Sequence, residues 1–117
     1  MPLAVGSPLP DVERAIVPRQ KLEGYLLNPA HEDGRHKARV FRAALGVIAA
    51  DWRYLQEAIL AGVCDAPVST VVPTPYGSRC TVVMPIQGLN GQRHDVLTAW
   101  LVVGDDPPRL VTAYVDL

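Results

Sequence analysis

The sequence predicts an α+β fold, with about three N-terminal helices packed on one face of a C-terminal antiparallel sheet of three to four strands. In the first half of the chain, apolar residues recur at spacings of three and four, as in helices that bury one side. After Val68 the apolar and polar residues alternate, as in strands that bury one face. The Asn90-Gly91 pair separates two such runs and indicates a hairpin turn, so these strands run antiparallel.

The predicted helices lie between clear breaking signals. The first begins at Pro18, which suits a first helical position, continues over Arg19 to Leu27, and is ended by Asn28-Pro29. The second lies between Gly34 and Gly46, with Glu32 or Asp33 as its cap. Its apolar stripe is predicted to consist of Ala38, Phe41, Leu45 and Ile48. The third is expected from Asp51 to about Ala61, where Gly62 closes it, with the apolar stripe Trp52, Leu55 and Ile59.

Composition narrows the function classes. We expect one domain over residues 18–117, preceded by an extended leader over residues 1–17 that holds several prolines. The formal net charge of −1 argues against a general nucleic-acid coat protein, so any phosphate binding would have to be local. Neither a signal peptide nor a membrane-spanning run is recognisable, which favours a cytoplasmic location. Cys64 and Cys80 have no paired metal-ligand spacing, and we expect two reduced core thiols with no metal and no cofactor.

The outward face of the sheet is the first candidate for chemistry. On the strand from Ser78 to Gln87, Cys80, Val82, Met84 and Ile86 form one face, which we assign to the core. On the next strand the wholly apolar set is the natural core set, and it consists of Leu97, Ala99, Leu101 and Val103. The opposite face is then predicted to collect Arg79, Thr81, His94, Thr98, Trp100, Thr112 and Tyr114. Alternation groups residues within one strand only, and a slip of one residue would scatter this set.

These residue types could bind and cleave RNA without a metal ion. An arginine such as Arg79 would stabilise phosphate, and His94, Thr112 or Tyr114 would take part in proton transfer. Thr98, Trp100 and Arg39 are expected to contact the substrate, with the aromatic ring stacking on a base. His36 and Lys37 could reach round the start of the second helix towards the edge of the sheet. The alternative is an ordinary solvated sheet face, on which Thr, Tyr and Arg are common.

A resemblance to a known family covers nearly the whole chain from Val17 onwards. The matching residues include Lys21-Leu22, Tyr25-Leu26-Leu27-Asn28-Pro29, His31, Gly34 to Phe41, Leu45-Gly46, Tyr76-Gly77 and Pro108 to Tyr114. They resemble an uncharacterised family of small bacterial domains that stand alone or form the tails of large toxins. The closing Thr112-Ala113-Tyr114 strand is similar to that of the barnase–EndoU–colicin–RelE class of metal-independent ribonucleases. That class has N-terminal helices followed by a four-stranded antiparallel sheet.

Two functions follow as expectations. The resemblance implies a ribonuclease-type toxin domain that acts on RNA, with Lys37 as the family's characteristic basic residue and a small antitoxin or immunity protein as a possible partner. The chain departs from such toxins at Val115, where they often carry proline after the tyrosine. The alternative is a non-catalytic interaction module, either an inactive toxin-like domain or an antitoxin or immunity-type partner. An apolar outer face made of Val83, Val96, Trp100 and Val102 would support that alternative, and a homodimer would fit it too.

Overall fold

A four-stranded antiparallel sheet with its strands in sequence order forms the C-terminal half of the chain. In the computed structural model, which describes residues 3–117, the order is β1-β2-β3-β4. The strands are β1 (Val68–Thr74), β2 (Gly77–Gln87), β3 (Arg93–Val102) and β4 (Arg109–Asp116). The β2–β3 turn contains Gly91 with a φ of 84°, a left-handed conformation that glycine adopts without strain. The helices precede the sheet, so the predicted α+β fold is confirmed.

Three helices cover one face of this sheet. They are α1, which spans Arg19–Lys21 and continues as a π-helical turn over Leu22–Leu26, then α2 (Arg35–Leu45) and α3 (Trp52–Asp65). Pro18 has extended backbone angles and caps α1 instead of beginning it. Short 3-10 turns lie at Val12–Arg14 and Ala49–Asp51. No helix in residues 3–117 is both long enough and apolar enough to cross a membrane.

Two details of the helices differ from the sequence prediction. Ile48 lies beyond the end of α2 and is 47% exposed, so it does not belong to the buried stripe of Ala38, Phe41 and Leu45. The third helix does not end at Gly62 but continues to Asp65. A Cβ at Gly62 would lie 2.6 Å from the Met84 sulfur, so this glycine allows α3 to approach β2 closely and does not end the helix.

The N-terminal segment packs on the domain. Leu9 and Val17 are buried, and the backbone of Ser7 accepts a hydrogen bond of 2.9 Å from the N–H of Val68. The Ile16 carbonyl accepts another, of 2.9 Å, from the N–H of Leu110, which attaches the segment to the outer edge of β4. The first two residues of the predicted leader lie outside the described part of the chain.

The covered face of the sheet contains the predicted residues of β2 but the opposite set of β3. Cys80, Val82, Met84 and Ile86 are buried as expected. Their partners on β3 are Trp100, Thr98, Val96 and His94 respectively. Directly opposed residues of an antiparallel pair share a face, so Thr98 and Trp100 belong to the core. The predicted face of β3 is therefore wrong, and Leu97, Ala99 and Leu101 lie on the open face.

The error has a physical cause in the pairing of the two polar groups on β3. The indole N–H of Trp100 donates to the hydroxyl of Thr98 at 2.7 Å, and this hydroxyl donates to the Val82 carbonyl at 2.7 Å. Both side chains are fully buried with their polar atoms satisfied, so the polar set could enter the core without a large desolvation cost. The wholly apolar set of Leu97, Ala99 and Leu101 therefore had no advantage over the observed set in filling the core.

A bulge adjusts β4 to the same core. Trp100 pairs with Leu110, whereas Ala99 pairs with Thr112, so Val111 is an extra residue on β4. Leu110 and Ala113 are therefore both buried, although simple alternation places them on opposite faces. Thr112 shares the open face with Ala99 and Thr81.

The two cysteines have different surroundings. Both are free thiols; Cys80 is buried, and burial raises the pKa of its thiol. Cys64 is exposed near the end of α3, so its assignment to the core is wrong.

Replacing Thr98 with valine tests the buried polar pair. The change keeps the shape but leaves the Trp100 N–H without an acceptor, so the free energy of unfolding should fall by about 1–3 kcal/mol. Urea denaturation followed by tryptophan fluorescence measures this. Thr81→Val, on the open face, is the matched control and should change stability by less than about 0.5 kcal/mol. Equal effects of the two variants would contradict the assigned role of the Thr98 hydroxyl.

Candidate active site

A cavity of about 690 Å³ lies where α1, the loop after it, the start of α2 and the edge strand β4 meet. We call it the β4-edge cavity. Its lining combines cationic, hydroxyl and aromatic groups, which are the groups that bind and transform phosphate esters. The lining residues are Pro18, Gln20, Lys21, Gly24, Tyr25, His31, Asp33, Lys37, Arg79, Arg109, Val111 and Thr112.

Lys37 links three parts of the chain in this cavity. Its ammonium donates to the phenol oxygen of Tyr25 at 2.7 Å and to the hydroxyl of Thr112 at 3.1 Å. Tyr25 belongs to α1, Lys37 to the first turns of α2, and Thr112 to β4. The ammonium lies 5.1 Å from the centre of the Tyr25 ring as well, which adds a cation–π attraction. These contacts keep the Tyr25 phenol and the Thr112 hydroxyl close to the positive charge of Lys37.

Gly34 explains how α1 and α2 approach closely enough for this contact. It is buried at the start of α2 with a φ of −84°, so its backbone conformation is open to any residue. A Cβ at this position would collide with the backbone oxygen of Tyr25 and would lie 2.8 Å from its ring. The glycine is required by this contact with Tyr25, which brings the phenol within reach of Lys37.

His31 supports the start of α2 from the loop between the helices. Its Nδ1 accepts hydrogen bonds of 3.0 Å from the backbone N–H groups of Asp33 and Gly34. Helix α2 has no side-chain cap at Gly34, so the predicted capping role of Glu32 or Asp33 is wrong. Because Nδ1 is an acceptor, we assign the ring proton to Nε2. The imidazole packs edge-on against Tyr25, with ring centres 5.0 Å apart.

Positive charge dominates the cavity. Arg79 on β2 and Arg109 on β4 both pair with Leu101 on β3, so the two arginines flank it on the open face. Lys21 and Lys37 approach the cavity from the helices. Asp33 is the acidic residue in the lining. In residues 3–117 the ion pairs are Asp11–Arg14 and Arg19–Glu23, so no carboxylate pairs with the four cations. A chain of formal net charge −1 therefore has a strong local attraction for anions here.

The same charges act on Tyr25. The hydrogen bond from Lys37 lowers the pKa of Tyr25 below its ordinary value of 10.0, and a hydrogen bond with Thr112 lowers it further. Partial burial acts in the opposite direction, and the charges of Lys37 and Lys21 again favour the phenolate. The net result is a tyrosine that releases its proton more readily than an exposed one.

The structure brings three of the sequence-predicted residues together and separates the others. Lys37, Arg79 and Thr112 all line the β4-edge cavity. Tyr114 shares the open face but pairs with Leu97, beyond the cavity. Thr98 and Trp100 lie in the core, and His94 lies at the far end of β3. His36 and Arg39 lie on the outer side of α2.

Sequence reasoning missed four cavity residues, Lys21, Tyr25, His31 and Arg109. His31 lies in a polar loop, yet it is half-buried and bonded to the backbone, which the sequence alone does not reveal. In the sequence, Tyr25, His31 and Gly34 lie in one short run around the Asn28-Pro29 break, and this proximity is the signal that could have grouped them. In residues 3–117, no group of three or more His, Cys, Asp or Glu side chains is placed to hold a metal ion.

The fold and the cavity together define a small α+β domain with an anion-attracting site at the edge of its sheet. A family model matches residues 8–117, and the chain belongs to that family, described as "Domain of unknown function (DUF6883)". No curated protein sequence matches the chain significantly.

A solved structure shares the fold. It comes from the "Contact-dependent growth inhibition toxin - immunity protein complex from Klebsiella pneumoniae 342", with a TM-score of 0.70 and 18% sequence identity. The match covers 86% of this chain and 99% of the matched chain. At this level of identity, the similarity establishes a common fold.

A Cβ at Gly34 should disturb both stability and the site. In Gly34→Ala the new methyl group would meet the Tyr25 backbone, so the free energy of unfolding should fall by about 1–3 kcal/mol. Gly24→Ala is the matched control, since a Cβ there has nothing within 4 Å. In its helical position that change should leave stability equal or raise it by up to about 1 kcal/mol. Thermal and urea unfolding would measure both, and a fully stable Gly34→Ala would contradict the packing argument.

Removing the Lys37 charge should change the ionisation of Tyr25. In Lys37→Met the phenolate loses its hydrogen-bond donor and nearest cation, so the pKa of Tyr25 should rise. Ultraviolet absorbance of the phenolate, titrated with and without Tyr25→Phe, isolates this group from the other three tyrosines. Arg93→Met removes an exposed charge outside the cavity and should leave the Tyr25 titration unchanged.

Proposed function

We propose that this chain is a metal-independent ribonuclease-type toxin domain whose reactive centre is the β4-edge cavity. The observation that supports this most strongly is the Lys37 ammonium bonded to both Tyr25 and Thr112 within a cavity that contains three further cations. The cations suit a phosphodiester, and Tyr25 suits proton transfer to it. The fold shared with one chain of a toxin–immunity complex is consistent with such a role.

The reaction proposed is transesterification within RNA. The ribose 2′-oxygen attacks the adjacent phosphorus, the bond from phosphorus to the 5′-oxygen breaks, and a 2′,3′-cyclic phosphate forms. Solvent water takes the 2′-hydroxyl proton. Tyr25 donates its proton to the departing 5′-oxygen, and Lys37 stabilises the phenolate that results.

The other cavity residues bind and orient the phosphate. Arg79 and Arg109, which line the cavity, stabilise the charge that develops on the phosphorane oxygens. His31 contributes its Nε2–H as a hydrogen-bond donor, since Nδ1 already accepts from the backbone. Thr112 holds the Lys37 ammonium in position. The ribonuclease site proposed here therefore lies at the β4 edge of the open face, whereas the sequence predicted a site spread over that face.

A non-catalytic interaction module, of the antitoxin or immunity type, is the second candidate. Its original argument fails, because Val96, Trp100 and Val102 are buried under the helices. Half-buried Val83, Leu97 and Leu101 instead give the open face its apolar character, which suits a contact with another protein or a second copy. A folded, strictly monomeric chain without RNA cleavage and without a bound protein would count against both candidates.

Cleavage of purified total RNA by the wild-type chain, with growth inhibition on expression in bacteria, tests the proposal. Tyr25→Phe should lower the cleavage rate by about 100-fold or more, since it removes the proton donor without removing the ring. Tyr76→Phe is the control, because Tyr76 is 79% exposed and outside the cavity. Tyr114→Phe separates the two site hypotheses, since only an active centre on the wider open face would need that hydroxyl. Intact RNA after incubation with folded wild type would reject the enzyme.

The pH profile provides a further check on Tyr25. Because solvent water takes the 2′-hydroxyl proton, the rate should follow the protonated fraction of Tyr25 and should fall once Tyr25 loses its proton. Because the pKa of Tyr25 is lowered, that fall should occur below pH 10.0. In Lys37→Met the residual activity should fall at a higher pH than in wild type. If the rate of Lys37→Met falls at the same pH as that of wild type, the fall is caused by a group other than Tyr25.

A further inference from the structure

A second cavity, of about 680 Å³, lies on the outer side of α2. We call it the arginine groove. It runs between α2, the loop after α1 and the Ala49–Asp51 turn, and it shares no lining residue with the β4-edge cavity. Its lining residues are Leu27, Pro29, Arg35, His36, Ala38, Arg39, Arg42, Ile48, Ala49 and Ala50.

The charge along this groove has one sign. Arg35, Arg39 and Arg42 follow each other at spacings of four and three, so their side chains lie on one side of α2. All three are exposed, His36 adjoins them, and the lining contains no acidic residue. The ion pairs of residues 3–117 lie elsewhere, at Asp11–Arg14 and Arg19–Glu23. Three guanidinium groups are thus available for carboxylates from outside.

The floor of the groove is apolar. Leu27 and Ala38 are buried beneath the arginines, and Ile48 is 47% exposed at the rim. Apart from the exposed imidazole of His36, the lining has no aromatic ring, so it offers little surface on which an unpaired base could stack. An exposed isoleucine beside arginines matches a ligand that carries both acidic and apolar side chains, which a protein segment does and a nucleic acid does not.

We propose that the arginine groove docks an acidic, amphipathic segment of a partner protein. Carboxylates of the segment bind Arg35, Arg39 and Arg42, where the planar guanidinium can make paired hydrogen bonds. Apolar side chains of the segment cover Ile48 and the alanines of the Ala49–Asp51 turn. The proposal stands independently of the ribonuclease hypothesis, because the two cavities lie on different sides of α2.

Selection from a displayed library of random peptides tests this docking. The expected winners carry glutamate or aspartate at helical spacing with leucine or similar residues between them. A winning peptide, labelled and synthesised, should then bind the wild-type chain, and Arg39→Glu/Arg42→Glu should weaken binding by at least about tenfold. Ile48→Ser should weaken it as well. Arg93→Glu/Arg53→Glu makes the same charge change outside the groove and should leave the affinity within about twofold.

Several outcomes would overturn the proposal. Failure to enrich any peptide, or enrichment of basic or unpatterned peptides, would do so. If the two double variants weaken peptide binding equally, the peptide responds to the overall charge of the protein and not to the groove. Displacement of the peptide by oligouridine RNA that itself loses affinity in Arg39→Glu/Arg42→Glu would assign the groove to RNA. A wild-type dimer that this variant dissociates would assign it to a second copy of the chain.

Discussion

The candidate site depends on one shared hydrogen-bond donor, the ammonium of Lys37. It bonds to a phenol on α1 and to a hydroxyl on β4, so the first helix, the second helix and the edge strand meet at a single charge. Gly34 makes this contact possible by allowing the backbone of Tyr25 to come close, and His31 fixes the start of α2 by accepting two backbone N–H groups. The chemistry proposed for Tyr25 follows from that arrangement, because the charge that positions the phenol also lowers its pKa.

The sequence was sufficient for the fold class because its signals were local. Helical stripes, the alternation on β2 and the Asn90-Gly91 turn all act within a few residues. The faces of β3 were not predictable in this way, since both its alternating sets are largely apolar and only the hydrogen bond between Trp100 and Thr98 makes the polar set suitable for the core. The extra residue at Val111 likewise depends on pairing with β3, which alternation along β4 alone does not reveal.

The candidate site was only partly predictable for a related reason. Lys37, Arg79 and Thr112 have side chains whose chemistry suggests a role, and the structure brings them together. Tyr25 and His31 gain their character from tertiary neighbours: a tyrosine becomes more acidic only beside Lys37, and a loop histidine becomes a backbone acceptor only when α2 begins at Gly34. Net charge could not locate a site either, because a value near zero conceals two separate basic surfaces on the two sides of α2.

The bond between Lys37 and Thr112 spans 75 residues of the chain, and this distance has a consequence for the order of folding. The sheet is built from neighbouring strands joined by short turns, so its contacts close small loops and carry a low entropic cost. The site instead needs one of the longest loop closures in the domain. We expect the hairpins to assemble first and the site to be completed only when the helices dock. Partly folded chains would then have a sheet but no assembled cavity.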